Sequence, residues 1–192
     1  MKVLIIGGVA GGATAAARLR RLDENAEIII IERSGYVSYA NCGLPYYIGG
    51  EITDRSALTL QTPESFKNRF RIDVRVREKA VSVDRTSKTV RIHRLSDGTE
   101  YTESYDKLIL SPGAHPVVPQ LPGIKSKRIM TLRTVEDTFR IYSYVYEHSP
   151  KSAVIIGGGF IGLETAENLK RCGLDVTILQ RGSHVMPPLD ED

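Results

Sequence analysis

Residues 2–32 read KVLIIGGVAGGATAAARLRRLDENAEIIIIE, and this stretch decides the fold. The apolar run at 2–6 ends in glycines, which is typical of a buried parallel strand. Gly7–Gly12 predict a tight turn, and the Ala-, Leu- and Arg-rich segment from Ala13 to Leu22 favours a helix. A second apolar run at 26–32 predicts another buried strand, so the stretch forms one β-α-β unit.

The same order of elements returns near the end of the chain. Residues 152–181 read SAVIIGGGFIGLETAENLKRCGLDVTILQR, which again predicts strand, glycine turn, helix and strand. Between the two units, Thr62–Phe70 predicts a helix with Thr62 as its N-cap, and Thr134–His148 predicts another with acidic residues in its first turn. The alternating pattern at about 72–105 predicts a small antiparallel meander, and Tyr105–Leu110 predicts a return strand.

These patterns together predict an α/β protein. Residues 1–150 are expected to form a Rossmann-like domain that carries the small antiparallel β-meander. Residues 151–192 are expected to begin a second Rossmann-like domain with its first β-α-β unit.

Composition excludes several classes of protein. A net charge of +3 is too small to indicate nucleic-acid binding, and no run of 18 apolar residues predicts a membrane span. The N-terminal apolar run is too short for a signal peptide. Two cysteines 130 positions apart form neither a disulfide framework nor a metal-binding spacing, and the four histidines show no metal spacing either. This cysteine usage favours the cytoplasm.

The second glycine turn carries the spacing Gly157-x-Gly159-x-x-Gly162 between a predicted strand and a predicted helix. The first glycine allows the tight turn, the second lets a pyrophosphate approach the backbone, and the third lets the helix pack on the strand. A glycine turn that serves packing alone is the competing interpretation. The repeated unit favours dinucleotide binding.

The first turn departs from this spacing, because its aligned positions are Gly7, Val9 and Gly12. Glu32 lies 20 residues past Gly12, where an acidic residue binds an adenosine ribose. A solvated carboxylate at the end of a strand is the alternative. Four isoleucines before Glu32 favour the ribose contact.

Gln180 and Arg181 occupy the equivalent place in the second unit. An amide can hydrogen-bond a ribose hydroxyl, but it lacks the charge that repels a 2′-phosphate, and an arginine attracts one. The second turn is therefore predicted to accept NADPH as well as NADH. A solvent-facing charge is an equally good interpretation of Arg181.

A cysteine lies in the segment SYANCGLPYY, which runs from Ser38 to Tyr47. A small buried apolar residue is the structural interpretation of Cys42, but the neighbouring Asn41 and Pro45 argue against a packed core. Cys172 precedes a glycine at a predicted helix end, and there the core interpretation is favoured.

At this point the chain resembles the N-terminal part of the pyridine nucleotide-disulfide oxidoreductases. The motifs that carry the resemblance are GGVAGGATAAARLRRLD, SYANCGLPYYIGGEI, LQTPESF, SYDKLILSPGA and GGGFIGLE, and they extend over nearly all 192 residues. Within that superfamily the chain is most similar to the coenzyme A-disulfide reductases and the coenzyme A-persulfide reductases.

This resemblance implies FAD at residues 1–150, NADPH or NADH at the second domain, and coenzyme A as substrate or bound adduct. Classical members of the superfamily carry a second cysteine five positions after the first, where this chain has Tyr47. Cys42 is therefore expected to act alone and to cycle between thiolate and a mixed disulfide with coenzyme A.

The resemblance also leaves two alternatives open. NADH oxidases and peroxidases use a single cysteine as a sulfenic acid, and they typically have a histidine in the first glycine turn, where this chain has Ala10. That difference favours a thiol substrate. A non-catalytic dinucleotide-binding module is the second alternative, because the family chain is two to three times longer.

Site residues follow from the turns and from the resemblance. The catalytic residue is Cys42. The cofactor-binding residues are Gly7, Gly8, Val9, Ala10, Gly11, Gly12, Glu32, Arg33, Ala80, Val81, Ser111, Pro112, Gly113, Arg133, Gly157, Gly159, Phe160, Ile161, Gly162, Glu164, Gln180 and Arg181. The substrate-binding residues are Thr14, Arg18, Arg21, Ser38, Asn41 and Phe66. No metal and no nucleic acid are expected, and the full-length protein is expected to be a homodimer.

The first predicted helix has two faces, which bear on the coenzyme A contacts. Thr14, Arg18 and Arg21 follow the spacing i, i+4, i+7 and share one face, and arginine there suits an anionic phosphate. A solvated charged face is the alternative. Ala15, Leu19 and Leu22 share another face of the same helix.

Overall fold

The computed structural model describes residues 1–186 and divides the chain into two compact units. The first unit holds Met1–Tyr39 and Thr59–Ala114, and the second holds Ala40–Leu58 and the chain from His115 onward. The final residues of the predicted second domain, 187–192, lie outside the described part. No helix within residues 1–186 has both the length and the apolar character needed to cross a membrane.

Within residues 1–186 the chain forms nine strands and five helices, and the short helix at 44–48 is the one helix among them that was not predicted. They are β1 (Lys2–Ile6), α1 (Ala10–Leu22), β2 (Glu27–Glu32), α2 (Leu44–Ile48), α3 (Pro63–Phe70), β3 (Asp73–Val76), β4 (Glu78–Asp84), β5 (Thr89–Arg94), β6 (Glu100–Ser104), β7 (Lys107–Leu110), α4 (Val135–His148), β8 (Ser152–Ile156), α5 (Phe160–Arg171) and β9 (Asp175–Leu179). Single 3-10 turns lie at Asn41–Gly43 and Arg55–Leu58.

The first unit is built on a parallel sheet with the order β3-β2-β1-β7. Its two central strands carry continuous apolar runs, at 3–6 and at 28–31, because both faces of the sheet are covered. On one face, Ile5 and Ile30 pack with residues of α1 and α3. On the other face, Leu4 and Ile29 pack with Val90 and with other residues of the meander. The continuous apolar runs of the sequence therefore form a central layer between two others.

The antiparallel sheet contains β4, β5 and β6, and it confirms the predicted small meander. Its alternating pattern was expected to start at residue 72, but Asp73–Val76 instead pair in parallel with β2 as an edge strand of the main sheet. Arg77 separates the two strands in a left-handed conformation with φ of 58°. Periodicity alone does not distinguish a half-exposed parallel edge strand from an antiparallel one.

Helix α1 begins at Ala10, three residues earlier than predicted. Its buried residues are Gly12, Ala13, Ala16 and Arg20, so the face that Ala15, Leu19 and Leu22 share is not the buried one. Leu19 does pack against the core, but Leu22 is 67% exposed. The reason is the close approach of helix and strand: a Cβ on Gly12 would lie 1.7 Å from the carbonyl oxygen of Gly7.

Arg20 is buried at the far end of α1 and was not expected to have a structural role. Its guanidinium donates to the carbonyl oxygens of Phe70 at 2.7 Å, Arg71 at 2.9 Å and Glu24 at 2.7 Å. Phe70 and Arg71 lie at the C-terminus of α3. One charged side chain thus satisfies carbonyl groups at the ends of two helices.

The second unit contains α2, α4 and α5 with the parallel pair β8-β9. Its core is formed by Ile48, Ile141, Val145, Leu169 and Leu174. Thr62, the predicted N-cap in the first unit, forms a capping box, and Thr134 in the second unit forms another.

Candidate active site and nucleotide-binding turns

The first glycine turn lies between β1 and α1. Gly7 has φ of 97°, and a Cβ there would lie 1.9 Å from the carbonyl oxygen of Ser111. Ser111 donates its backbone N–H to the Ile6 carbonyl oxygen at 2.8 Å, which fixes the segment after β7 beside the turn. The structure thus brings together two segments that were predicted to bind one cofactor, Gly7–Gly12 and Ser111–Gly113.

Glu32 ends β2 and is only 8% exposed. Its Oε2 accepts from the Gly8 backbone N–H at 2.7 Å, and its Oε1 accepts from the Ser34 N–H at 2.7 Å. The carboxylate is therefore not a solvated group at a strand end. It lies against the turn, as a ribose contact requires.

The other predicted flavin contacts of the first unit lie on its surface or at a β-bulge. Arg33 is exposed. The β4–β5 register shifts between Ala80 and Ser82, so Val81 is the extra residue of a β-bulge and is 42% exposed. A bulge leaves backbone groups outside the ladder, and these are the groups that the prediction assigned to the cofactor.

The predicted substrate contacts of the first unit divide into two kinds. Thr14, Arg18 and Arg21 are all exposed, which agrees with a shared polar face. Ser38 has φ of 49° and donates its N–H to the Gly8 carbonyl oxygen at 2.9 Å. The predicted substrate contact of Phe66 must be corrected, because this residue is 2% exposed and belongs to the apolar core beside α1. The amphipathic packing of α3 uses its side chain, which is no longer available to a ligand.

The second glycine turn lies between β8 and α5. Gly157 has φ of 106°, and a Cβ on Gly157 or on Gly159 would meet nothing within 4 Å. A Cβ on Gly162 would lie 2.0 Å from the Gly157 carbonyl oxygen, so the third glycine serves the packing of helix on strand. The open space at the first two glycines fits a pyrophosphate group, which a side chain would displace.

Gln180 occupies the place in the second unit that Glu32 occupies in the first. Its Oε1 accepts from the Gly158 backbone N–H at 3.0 Å. Arg181 is exposed, as are Phe160 and Ile161 at the start of α5. A neutral amide therefore stands beside this turn where the first turn has a carboxylate.

Cys42 is exposed and lies in the 3-10 turn Asn41–Gly43, just before α2. It lines a pocket of about 300 Å³ together with Asn41, Arg133, Phe160, Ile161 and Glu164. Leu44, Pro45 and Leu132 complete the lining. The pocket thus combines one thiol, one cation, one carboxylate and one amide on an apolar wall, all within the second unit.

Tyr47 follows Cys42 by five positions and is 4% exposed. Its ring packs against Phe139 at a centroid distance of 5.3 Å and against Tyr142 at 5.0 Å. Arg55 donates from its Nε to the Tyr47 hydroxyl at 3.2 Å. Tyr47 therefore anchors α2 in the aromatic part of the unit, and both cysteines of the chain are free thiols.

Two side-chain contacts in the second unit were not predicted from the sequence. Arg133 donates from Nη1 to Asn41 Oδ1 at 3.0 Å across 92 positions of sequence. Asn168 is fully buried and donates from Nδ2 to the Glu164 carbonyl oxygen at 2.8 Å, one turn along α5. Its side chain lies against Gly49, where a Cβ would come within 2.0 Å of Asn168 Oδ1. Neither contact has a local sequence signal.

Comparison with known proteins gives the following matches. The family model described as pyridine nucleotide-disulphide oxidoreductase matches residues 1–192. A coenzyme A disulfide reductase of Staphylococcus haemolyticus is 40% identical over 191 residues, which cover 100% of this chain and 43% of that relative. The chain therefore spans less than half the length of this curated relative.

Two solved structures are similar throughout the chain. Reduced CoADR-RHD of Bacillus anthracis is 52% identical with a TM-score of 0.96, covering 98% of this chain and 34% of that one. An NAD-dependent persulfide reductase from A. fulgidus is 40% identical with a TM-score of 0.93, covering 99% and 35%. These matches confirm the predicted fold, with a Rossmann-like parallel sheet and a small antiparallel sheet.

Proposed function

Because the chain belongs to the pyridine nucleotide-disulfide oxidoreductase family, we propose that it provides the flavin site and the reactive thiol of an NAD(P)H-dependent disulfide reductase. The substrate is coenzyme A disulfide or coenzyme A persulfide. The observation that carries the proposal is Cys42, an exposed free thiol in a pocket with Glu164 and Arg133. Tyr47, and not a second cysteine, stands five positions later.

The names of the relatives support this substrate class. The Staphylococcus haemolyticus relative is a coenzyme A disulfide reductase, and the A. fulgidus structure is an NAD-dependent persulfide reductase. Both act at a sulfur–sulfur bond. The exposed face of Thr14, Arg18 and Arg21 supports it too, because guanidinium groups suit a phosphate-bearing substrate.

We assign cofactor binding by unit, with domain boundaries at 1–150 and 151–192. FAD fits the first turn, where Glu32 is available for a ribose, and residues Ser111–Gly113 lie beside Gly7. NADH or NADPH fits the second turn, where the neutral Gln180 does not repel a 2′-phosphate. Bound flavin would supply the two-electron chemistry that couples oxidation of the reduced nicotinamide to reduction of sulfur.

In the sulfur half of the reaction, the Cys42 thiolate attacks one sulfur of coenzyme A disulfide. The Cys42–sulfur bond forms as the substrate S–S bond breaks, and the first coenzyme A leaves as a thiolate that takes up a proton. An electron pair from the reduced nucleotide then breaks the mixed disulfide. This step restores the Cys42 thiolate and releases the second coenzyme A.

The resemblance also leads us to propose a cytoplasmic homodimer for the full-length protein. Peroxide or oxygen reduction is the main competing function. Ala10 in the first turn argues against it, because the similar peroxidases have a histidine there.

The test is a steady-state assay of the full-length protein with coenzyme A disulfide, coenzyme A persulfide and hydrogen peroxide side by side. We expect kcat/KM to be highest for a coenzyme A substrate and Cys42→Ser to lower it by at least about 10³-fold, because no other nucleophile replaces the sulfur. Cys172→Ser is the matched control and should stay within about twofold. Mass spectrometry gives a second readout: a coenzyme A adduct on Cys42 supports the proposal, whereas a sulfenic acid with preferred peroxide turnover would refute it.

A further inference from the structure

Arg133 and Asn41 meet in the Cys42 pocket. The Arg133 Nη1 lies 3.0 Å from the Asn41 Oδ1, and both residues line the pocket with Cys42. Asn41 directly precedes Cys42 in the 3-10 turn. Anything that fixes the Asn41 side chain therefore acts on the immediate surroundings of the sulfur.

Arg133 is well placed to act as the fixed partner of this pair. It stands just before Thr134, the N-cap of α4, and its backbone N–H donates to Asp137 Oδ2 at 3.1 Å. The same oxygen accepts from the Thr134 N–H at 3.1 Å, and the Thr134 hydroxyl accepts from the Asp137 N–H at 3.2 Å. A capping box thus holds the backbone that carries the guanidinium.

The turn that carries Asn41 has fewer supports of its own. It is three residues long, and Gly43 donates its N–H to the Ala40 carbonyl oxygen at 3.0 Å while Leu44 donates to that of Asn41. Short 3-10 turns are poorly stabilised by their internal hydrogen bonds. The Arg133 contact is a charge-assisted tie from outside the turn.

Chemistry fixes which end of the Asn41 amide faces the arginine. A guanidinium has five donors and no acceptor, whereas an asparagine amide has an oxygen acceptor and an NH₂ donor at opposite ends. The reverse orientation would set NH₂ against a cationic N–H. The Oδ1 end is therefore held by Arg133. Among residues 1–186, the Nδ2 end has no hydrogen-bond acceptor.

We propose that Arg133 is a positioning residue that orients the Asn41 amide, so that its Nδ2 donates to an acceptor group on the substrate bound beside Cys42. The inference rests on the proposed function. It names the class of contact: an oxygen acceptor on the coenzyme A portion of the substrate, such as an amide carbonyl or a phosphate. Arg133 reaches the substrate through Asn41 and does not bind it directly.

The test compares two disulfides as reagents for Cys42 in the full-length protein. The rates of mixed-disulfide formation with coenzyme A disulfide and with 2-hydroxyethyl disulfide are measured by mass spectrometry, and their ratio defines the substrate preference. We expect Asn41→Ala to lower this ratio by about tenfold and Arg133→Met by about fivefold to tenfold, since one hydrogen bond contributes about 1–1.4 kcal/mol. Arg133→Lys, which keeps a donor and the charge, should recover most of the loss.

A double-mutant cycle tests whether Arg133 acts through Asn41. In the Asn41→Ala background, Arg133→Met should lower the ratio by less than about twofold. An equal loss in both backgrounds would show that Arg133 acts independently, and the inference would be wrong. The rate with 2-hydroxyethyl disulfide reports on the integrity of the pocket in every variant. Arg85→Met, an exposed position between β4 and β5, is the matched control for the loss of an arginine.

The two proposals fail in different ways. If wild-type Cys42 shows no preference for coenzyme A disulfide, the proposed function fails. If the preference is present but Arg133→Met leaves it unchanged, only the positioning inference fails. If Arg133→Met does not fold, a ratio for Arg133→Lys below that of Asn41→Ala would also contradict the inference.

Discussion

The two glycine turns share the glycines at their first, second and sixth positions but have different surroundings. In each, the last glycine packs a helix on a strand, with a Cβ position 1.7 Å or 2.0 Å from the carbonyl oxygen of the first glycine. In the first turn, the Glu32 carboxylate accepts a hydrogen bond from the Gly8 N–H. In the second turn, the Gln180 amide oxygen accepts one from the Gly158 N–H. The local pattern therefore determines the local geometry in both units.

What the turns do not share is set by distant parts of the chain. The first turn belongs to a four-stranded sheet covered on both faces, and Ser111 lies against Gly7. The second turn follows β8, and among residues 1–186 no atom lies within 4 Å of a Cβ placed on Gly157. A sequence repeat thus predicts the turn, but it does not predict how much surrounding structure depends on that turn.

Gly7→Ala against Gly157→Ala is the strongest test of this difference. Both positions have a left-handed φ, so each alanine carries a backbone strain of about 1–2 kcal/mol. Only at position 7 does the new Cβ meet backbone atoms, 1.9 Å from the Ser111 oxygen. We expect a loss in the free energy of unfolding of about 3 kcal/mol or more for Gly7→Ala and about 1–2 kcal/mol for Gly157→Ala.

The measurement is urea denaturation combined with amide hydrogen exchange in β1 and β8, because the two units then report separately. Equal losses in both variants would contradict the assigned role of Ser111. Gly98→Ala is a useful control, since that glycine has φ of 75° in a hairpin and no atom near its Cβ position.

Gln180→Glu gives the second turn a carboxylate equivalent to that of Glu32 in the first turn. The new carboxylate would stand beside Gly158 and repel the 2′-phosphate of NADPH, whereas NADH has no such group. We expect the ratio of Kd for NADPH to Kd for NADH to rise about tenfold, equivalent to about 1.4 kcal/mol. Titration of the full-length protein with both nucleotides measures it.

Glu167→Gln is the control for a change of charge on the neighbouring helix, and it should leave that ratio within about twofold. Glu167 is exposed and pairs with Arg171 on the surface of α5. An unchanged ratio in Gln180→Glu would show that the second turn does not read the ribose through this position.

Glu103→Gln tests whether the partly buried ion pairs of the first unit stabilise the fold more than an exposed ion pair of the second unit does. In the first unit, Glu103 accepts from Lys2 Nζ at 2.5 Å and from Arg75 Nη1 at 2.6 Å, and its side chain is 14% exposed. Burial alone would raise the pKa of Glu103, but hydrogen bonds from Lys2 and Arg75 outweigh it and hold the pKa below its usual value. We expect the variant to lose about 1 kcal/mol in the free energy of unfolding at pH 7.

The loss should depend on pH with a defined sign. Because the folded pKa lies below the unfolded one, the carboxylate stabilises the fold above the ordinary value of 4.5. That contribution is lost as the pH falls through the folded pKa, so the wild-type and variant curves converge in acid. Lys170→Gln is the counterpart in the second unit, where the pair with Asp175 is exposed; it should change stability by no more than the error of measurement.

Much of the fold could be predicted because its determinants are local. The strands, the turns and the caps at Thr62 and Thr134 follow from residues within a few positions of one another. The packing face of α1 could not be predicted from its apolar residues, since the close approach at Gly12 favours small side chains over Leu22. The parallel pairing of β3 depends on β2, about 40 residues earlier.

The candidate site divides in the same way. Cys42 and the two turns were found from short motifs, and the roles of individual site residues stay predictions. The contact of Arg133 with Asn41 joins positions 92 apart, and that of Asn168 with Gly49 joins two helices. An arginine before an N-cap and an asparagine within a helix have no distinctive local pattern, so only the tertiary structure reveals them.

The Glu32 carboxylate has a consequence for the thermodynamics of ligand binding. Each of its oxygens already accepts one backbone N–H, so its rotamer is fixed before any ligand arrives. Free glutamate side chains lose about 1.5–2 kcal/mol of conformational entropy when they are immobilised. Here that loss accompanies folding, and the remaining lone pairs can accept a ribose hydroxyl with no further ordering. Gln180 is restrained by one such contact, so nucleotide association at the second turn has the larger entropic penalty.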